Sequence, residues 1–174
     1  MAKLLAAICV ASLLIWVGAR GYNGIYFDIE CGDFQKRAAD SNSIELAESN
    51  LTKVVAYAEK HGMTSGSTMV IFDYPAYDVG FWYNNARASL DELRKVKANP
   101  NATPLEQSNV LMKLEKTMID HGSSGTSINV PAGISIFPHN KLFFWWCAAS
   151  ILGTLLFGLL AAAEVVGQRQ RQRA

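Results

Sequence analysis

The chain has 174 residues, of which 50% are hydrophobic and 18% charged, and its formal net charge is +1. A balance this close to neutral gives no support for nucleic-acid binding by the chain as a whole, which would need a basic surface. The apolar excess is gathered at the two ends, a membrane-protein pattern that leaves the middle of the chain to build a soluble core.

The first apolar segment, Leu4 to Ala19, lies between Lys3 and Arg20. It is short for a span unless both cations snorkel to the headgroups. Two readings compete. Val17-Gly18-Ala19 fits the small-residue pattern of a signal-peptidase site, with cleavage after Ala19. Bulky Ile15 and Trp16 crowd that site, and Tyr22 and Tyr26 have the character of interfacial anchors, which favours a retained transmembrane anchor over residues 1–21.

Residues 22–141 are expected to form a mainly helical α+β extracytoplasmic domain with about three helices and a small sheet. Near its start, Asp28, Glu30 and Asp33 surround Cys31. Acids at a chain entry are usually solvated, and a free cysteine packs as a small hydrophobe, so burial of Cys31 is favoured over a free or intermolecularly bridged thiol. With Cys9 and Cys147 inside the apolar segments, no intrachain disulfide framework is available to this domain. Phe34 to Ala39 reads as a short helix or as the start of the next one. Ile44, Ala47, Leu51, Val54 and Ala58 then mark the buried stripe of an amphipathic helix, with Asn42 and Glu45 as its cap and Gly62 as its stop.

After that helix, Ser67 to Phe72 is β-prone, Tyr74-Pro75 makes a turn, and Asp78 caps a second helix. Val79, Trp82, Ala86, Leu90 and Leu93 form its inner stripe, with Lys95 and Lys97 near its negative end. Phe72 and Trp82 are assigned to the core, leaving Tyr74, Tyr77, Phe81 and Tyr83 as candidates for partner or ligand contact. A third helix is expected from the Thr103-Pro104-Leu105-Glu106 capping box to Gly122, with a stripe at Leu111, Leu114 and Met118. Ser127 to Val130 and Ile134 to Phe137 read as a hairpin around Pro131-Ala132-Gly133.

Two helix exits look alike, "KHGMTSGSTMVIF" and "DHGSSGTSINV", and suggest a weak internal repeat. It places His61 and His121 at last-turn capping positions, while His139 falls beside the second apolar segment. No histidine or cysteine pair has metal-ligand spacing, and the "GMTSGS" and "GSSGTS" stretches lack a P-loop lysine and read as turns. No cofactor, metal or catalytic residue is therefore assigned. Asn50-Leu51-Thr52 and Asn101-Ala102-Thr103 are formal glycosylation sequons that establish nothing about the host.

Leu142 to Ala163 carries no charge and, as a helix, would reach about 33 Å, enough for a hydrocarbon core. Trp145 and Trp146 fit an aromatic belt at its entry, and Lys3, Arg20, Arg169, Arg171 and Arg173 complete the membrane-interface set. Ala149, Gly153 and Thr154 are candidates for helix–helix contact, in cis or in trans. The three arginines of the basic tail, residues 164–174, put both termini in the cytoplasm of a bacterial inner membrane and the central domain in the periplasm. The expected function is a non-enzymatic accessory or scaffold subunit bound to another membrane protein, to lipid or to a second copy. The alternative is a periplasmic small-ligand sensing module without an output domain of its own.

Overall fold

The computed structural model describes residues 1–72, 74–122 and 125–173. The fold is mostly helical with one two-stranded sheet, and two of its helices are long and apolar enough to cross a membrane by length and composition. Helix α1 (Ala2–Phe27) runs through a π-helical turn at Asp28–Gly32 into α2 (Asp33–Ala39). There follow α3 (Ile44–Lys60), α4 (Val79–Ala98), α5 (Pro104–Met118), β1 (Ile119–Gly122), β2 (Gly125–Ile128) and α6 (Asn140–Arg173). Two compact units result, residues 24–138 and residues 1–23 with 139–174.

In the first of these units, α2 to α5 pack together, four helices where the sequence suggested about three. All five stripe residues expected on α3 and all five on α4 are buried, and so are Leu114 and Met118 of α5. The buried Leu, Ile, Val and Met side chains among them each stabilise the fold by about 1.5–3 kcal/mol, and the three alanines by less. The cap of α3 is Ser43 rather than Asn42. Ser43 has extended backbone, and its Oγ accepts from the Leu46 N–H at 3.3 Å, the three-residue offset that a capping side chain can span. Asp78 and Thr103 cap α4 and α5 as expected, accepting from Phe81 and Glu106 at 3.0 and 3.2 Å. Gly62 ends α3 with φ of 68°, letting Met63 N–H donate to the Ala58 carbonyl and Gly62 N–H to that of Glu59, a Schellman closure. Across the helix pair, Glu48 of α3 accepts from Lys97 of α4 at 2.6 Å with Arg94 beside it, and these two cations hold its carboxyl below the usual range.

The strands are not where local propensity put them. Residues 67–72 form no strand; their one sheet-like feature is an isolated bridge from Ser67 to Asp78, and Ile71 and Phe72 are 62% and 64% exposed. The Thr68 N–H donates to the Tyr77 carbonyl at 3.0 Å and its hydroxyl to the Ala132 carbonyl at 2.7 Å, and neither bond extends into a ladder. The hairpin pairs β1 with β2, Ile119 opposite Ile128 and Gly122 opposite Gly125, so its first strand comes from residues expected to be helical. Ile134–Ile136 is a short 3-10 turn following Gly133, whose φ of 79° favours glycine, and Ile134 and Ile136 are buried. The turn read at "GSSGTS" includes residues 123 and 124, which lie outside the described residues, as does the last residue of the tail.

Helix α5 stops at Met118, four residues before Gly122, because its terminal carbonyls find distant donors. The Met118 carbonyl accepts from the Asn129 N–H at 2.8 Å and from Gln35 Nε2 at 2.9 Å, and Asn129 Nδ2 donates to the Thr117 carbonyl at 3.2 Å. Gln35 is fully buried, donates also to the Asn129 carbonyl at 3.1 Å, and accepts from Trp82 Nε1 at 3.1 Å. His121 consequently belongs to β1, with Nε2 3.4 Å from Glu115, and does not cap a helix. His61 does sit at the end of α3, but its ring stacks on Tyr57 at 4.2 Å between centroids.

In the second unit, α6 packs antiparallel to α1. Ser12 and Ser150 hydroxyls are hydrogen-bonded at 3.0 Å, Trp146 Nε1 donates to Ser12 at 2.8 Å, and Trp16 Nε1 donates to the Phe143 carbonyl at 2.8 Å. Gly153 faces Cys9 so closely that a Cβ there would lie 2.6 Å from Sγ. Thr154 bonds back to the Ser150 carbonyl of its own helix and Ala149 is exposed, so Gly153 is the member of the expected trio seen against α1.

Two outcomes are expected. Gln35→Leu strands the Trp82 indole N–H and takes a donor from the Asn129 carbonyl, while the Met118 carbonyl keeps the Asn129 N–H; it should cost about 1–3 kcal/mol per stranded group, read as a lower urea midpoint by tryptophan fluorescence, while Gln107→Leu on the exposed face of α5 should hardly move it. Gly153→Ala should lower the melting temperature of the full chain in detergent by an overpacking cost of about 1–3 kcal/mol. Adding Cys9→Ala should recover most of that loss, and Gly158→Ala, with open space around it, should have little effect.

Candidate functional site

The segment from Phe72 to Asn85 forms an aromatic corner where the chain enters α4. Pro75–Tyr77 is a 3-10 turn, and the Asp78 cap fixes the first turn of α4. Successive helical residues are about 100° apart, so Phe81 lies about 200° from both Val79 and Tyr83, and burying those two turns it outward. Trp82 is 4% exposed and Phe81 63%. Tyr74 is 56% exposed, and Tyr77 is half-buried.

Two sequence assignments in this corner change. Tyr83 is 6% exposed, and its hydroxyl donates to Glu59 at 2.8 Å while accepting from Arg87 at 2.9 Å. It joins α3 to α4 and is not available as a contact residue. Phe72, assigned to the core, is exposed together with Ile71 because no strand forms to carry it inward. The accessible aromatic run is therefore Phe72, Tyr74 and Phe81. Exposure of Phe72 and Ile71 had no signal in the sequence, since "VIF" has strong strand propensity.

Beside this run lies a cleft of about 90 Å³, lined among others by Pro75, Phe81, Trp82, Asn85, Asn129 and Pro131. Water occupies about 30 Å³ per molecule in the liquid, and sites for drug-sized ligands need roughly 300 Å³ or more. The cleft therefore has room for one small side chain and not for a metabolite. Its lining mixes apolar side chains with the amides of Asn85 and Asn129, the Asp78 carboxylate and the Thr117 hydroxyl. Asp78 accepts from the Phe81 N–H as the cap of α4, and Thr117 donates to the Lys113 carbonyl at 2.8 Å, so both serve the ends of their helices.

The other candidate chemistry is dispersed. Cys31 is fully buried, and burial pushes its thiol up to about 12. Asp28, Glu30 and Asp33 point to solvent from the same helical run, so the acids and the thiol do not share a site. Among the described residues, no group of three or more His, Cys, Asp or Glu side chains is placed to hold a metal ion. Of the interface set, Lys3, Arg20, Arg169 and Arg171 are exposed, and Arg20 lies 5.9 Å from the Trp16 ring centroid. Trp145 is 64% exposed, whereas Trp146 spends its N–H on Ser12; the Arg173 side chain lies outside the described residues.

Comparison of the chain with protein families, with curated proteins and with solved structures finds no match.

Thiol chemistry gives a direct check on this division. In a chain with Cys9→Ala and Cys147→Ala, Cys31 should resist maleimide at neutral pH and react fully once denaturant is added, as followed by mass spectrometry. Rapid labelling of the folded chain would show that Cys31 is accessible after all.

Proposed function

We propose that the chain is a non-enzymatic membrane accessory or scaffold subunit, whose central domain and second span bind a larger membrane assembly. In this reading both apolar helices span a bacterial inner membrane, with both termini cytoplasmic and residues 22–141 periplasmic. Leu14, Ile15, Leu152, Leu155 and Leu159 are each more than half exposed. In water each such side chain forgoes about 1.5–3 kcal/mol of burial, which a hydrocarbon surrounding restores. Arg169, Arg171 and Arg173 supply the positive charge that favours a cytoplasmic C terminus.

The observation that carries the functional reading is the exposed aromatic run of Phe72, Tyr74 and Phe81 beside a cleft sized for one side chain. Interfaces concentrate their binding energy in aromatic anchors and small desolvated pockets. A metabolite sensor would need a larger enclosed space at this corner.

Purification in mild detergent followed by mass spectrometry tests the reading. A membrane protein should co-purify in defined ratio, and Tyr74→Ala with Phe81→Ala should cut its recovery by about tenfold or more while the melting temperature stays unchanged. A partner-free monomer would sink the proposal. A rise in melting temperature with a small metabolite would instead favour the sensing module.

A further inference from the structure

A second surface, separate from the aromatic corner, has its own chemistry. An open groove of about 350 Å³ lies between the wall formed by Tyr26, Glu30 and Phe34 and the wall formed by Lys53, Ala56, Tyr57 and Lys60 on α3. Its floor and sides are aromatic: Tyr26 and Tyr57 have centroids 6.4 Å apart, and Tyr57 is 8% exposed. Lys53 Nζ lies 4.2 Å from the Phe34 ring centroid, and the Arg37 guanidinium approaches the same ring at 5.8 Å.

Residues 24–138 contain fourteen acids against ten lysines and arginines. Arg87, Arg94, Lys97 and Lys113 are in ion pairs, and among the described residues Lys53, Lys60 and Arg37, like Lys36, Lys95 and Lys116, are not; of these unpaired cations Lys53 and Lys60 line the groove. The groove therefore sets two lysines on one wall against a single acid, Glu30, on the other, along an apolar, aromatic channel.

Spacing narrows the occupant. Lys53 and Lys60 are two helical turns apart on one face of α3, about 10 Å along its axis, too far for one phosphate or carboxylate to bridge. In a polyproline-II segment, with three residues per turn and a rise of about 3.1 Å, residues three apart lie on one face and are separated by about 9 Å. Glu30 on the facing wall repels additional acids and so disfavours a polyacidic run. We propose that this groove binds an acidic segment of a partner polypeptide in polyproline-II conformation, with two carboxylates three residues apart reaching Lys53 and Lys60 and an apolar or aromatic side chain between them packing on Phe34 and Tyr57. The site stands independently of the aromatic corner: it would survive loss of binding at Tyr74 and Phe81, and the reverse holds too.

The test uses the full chain in nonionic detergent and a fluorescein-labelled peptide containing Glu-Phe-Ala-Glu, read by anisotropy. Saturable binding that weakens with added salt and is absent for Lys-Phe-Ala-Lys is expected. Lys53→Glu with Lys60→Glu should lower affinity by about tenfold or more, the neutral pair Lys53→Gln with Lys60→Gln by less, and Lys116→Glu on α5 should leave it unchanged. Melting temperatures of both double variants confirm that they fold. No saturable binding, or binding indifferent to the neutral pair, overturns the proposal. Phosphatidylglycerol nanodiscs that abolish peptide binding, but spare it when made of phosphatidylcholine, would also overturn it by assigning the groove to lipid headgroups.

Discussion

The buried amide of Gln35 joins segments of the central unit that local interactions alone would leave independent. One side chain donates to the carbonyls of Met118 and Asn129 and accepts from the Trp82 indole, thereby tying α2 to the end of α5, the exit of β2 and the start of α4. A polar group without access to water is tolerated only when its hydrogen bonds are made, so the helices are held at positions that satisfy this amide. The termination of α5, the placement of the hairpin and the inward turn of Trp82 all depend on that condition. The outward turn of Phe81 follows from helical geometry and the burial of Val79 and Tyr83.

A comparable economy operates in the paired apolar helices. Hydrophobicity alone gives them no preferred register, because their side chains are apolar on all sides. Register comes from the few groups that differ: the Ser12–Ser150 hydrogen bond, the indole donors of Trp16 and Trp146, and the close approach of Cys9 to Gly153. Such small and polar groups discriminate among alignments that bulk burial would leave nearly equal. Trp146 thus serves the helix pair, while its neighbour Trp145 remains outward.

Charge is partitioned in the same selective way on α3. Glu48 is clamped by two α4 cations and Glu59 is joined to Tyr83, whereas Lys53 and Lys60 on the aromatic side face no acid within ion-pair distance among the described residues. Because Glu48 is held in its charged form, its contribution to the α3–α4 contact is present above the ordinary carboxylate range and is lost as pH falls through its lowered folded value.

Helices were legible in this sequence because their signals are local. The Asp78 and Thr103 caps, the Gly62 stop and the stripes of α3 and α4 each lie within a few residues of the element they define. The apolar character of both terminal segments was legible for the same reason. Strand placement was not, since a strand exists only through a partner: β-prone residues 67–72 found none, while residues 119–122 left a helical pattern to pair with 125–128. Nor could the sequence expose Gln35 as a junction, bury Tyr83 under Glu59 and Arg87, or bring Lys53 over Phe34. The sequence by itself determined which segments are helical and which faces are apolar, through periodicity and short-range capping. Tertiary structure alone decided which aromatic rings are exposed and where the chain pairs, because those outcomes depend on hydrogen bonds and packing between residues dozens of positions apart.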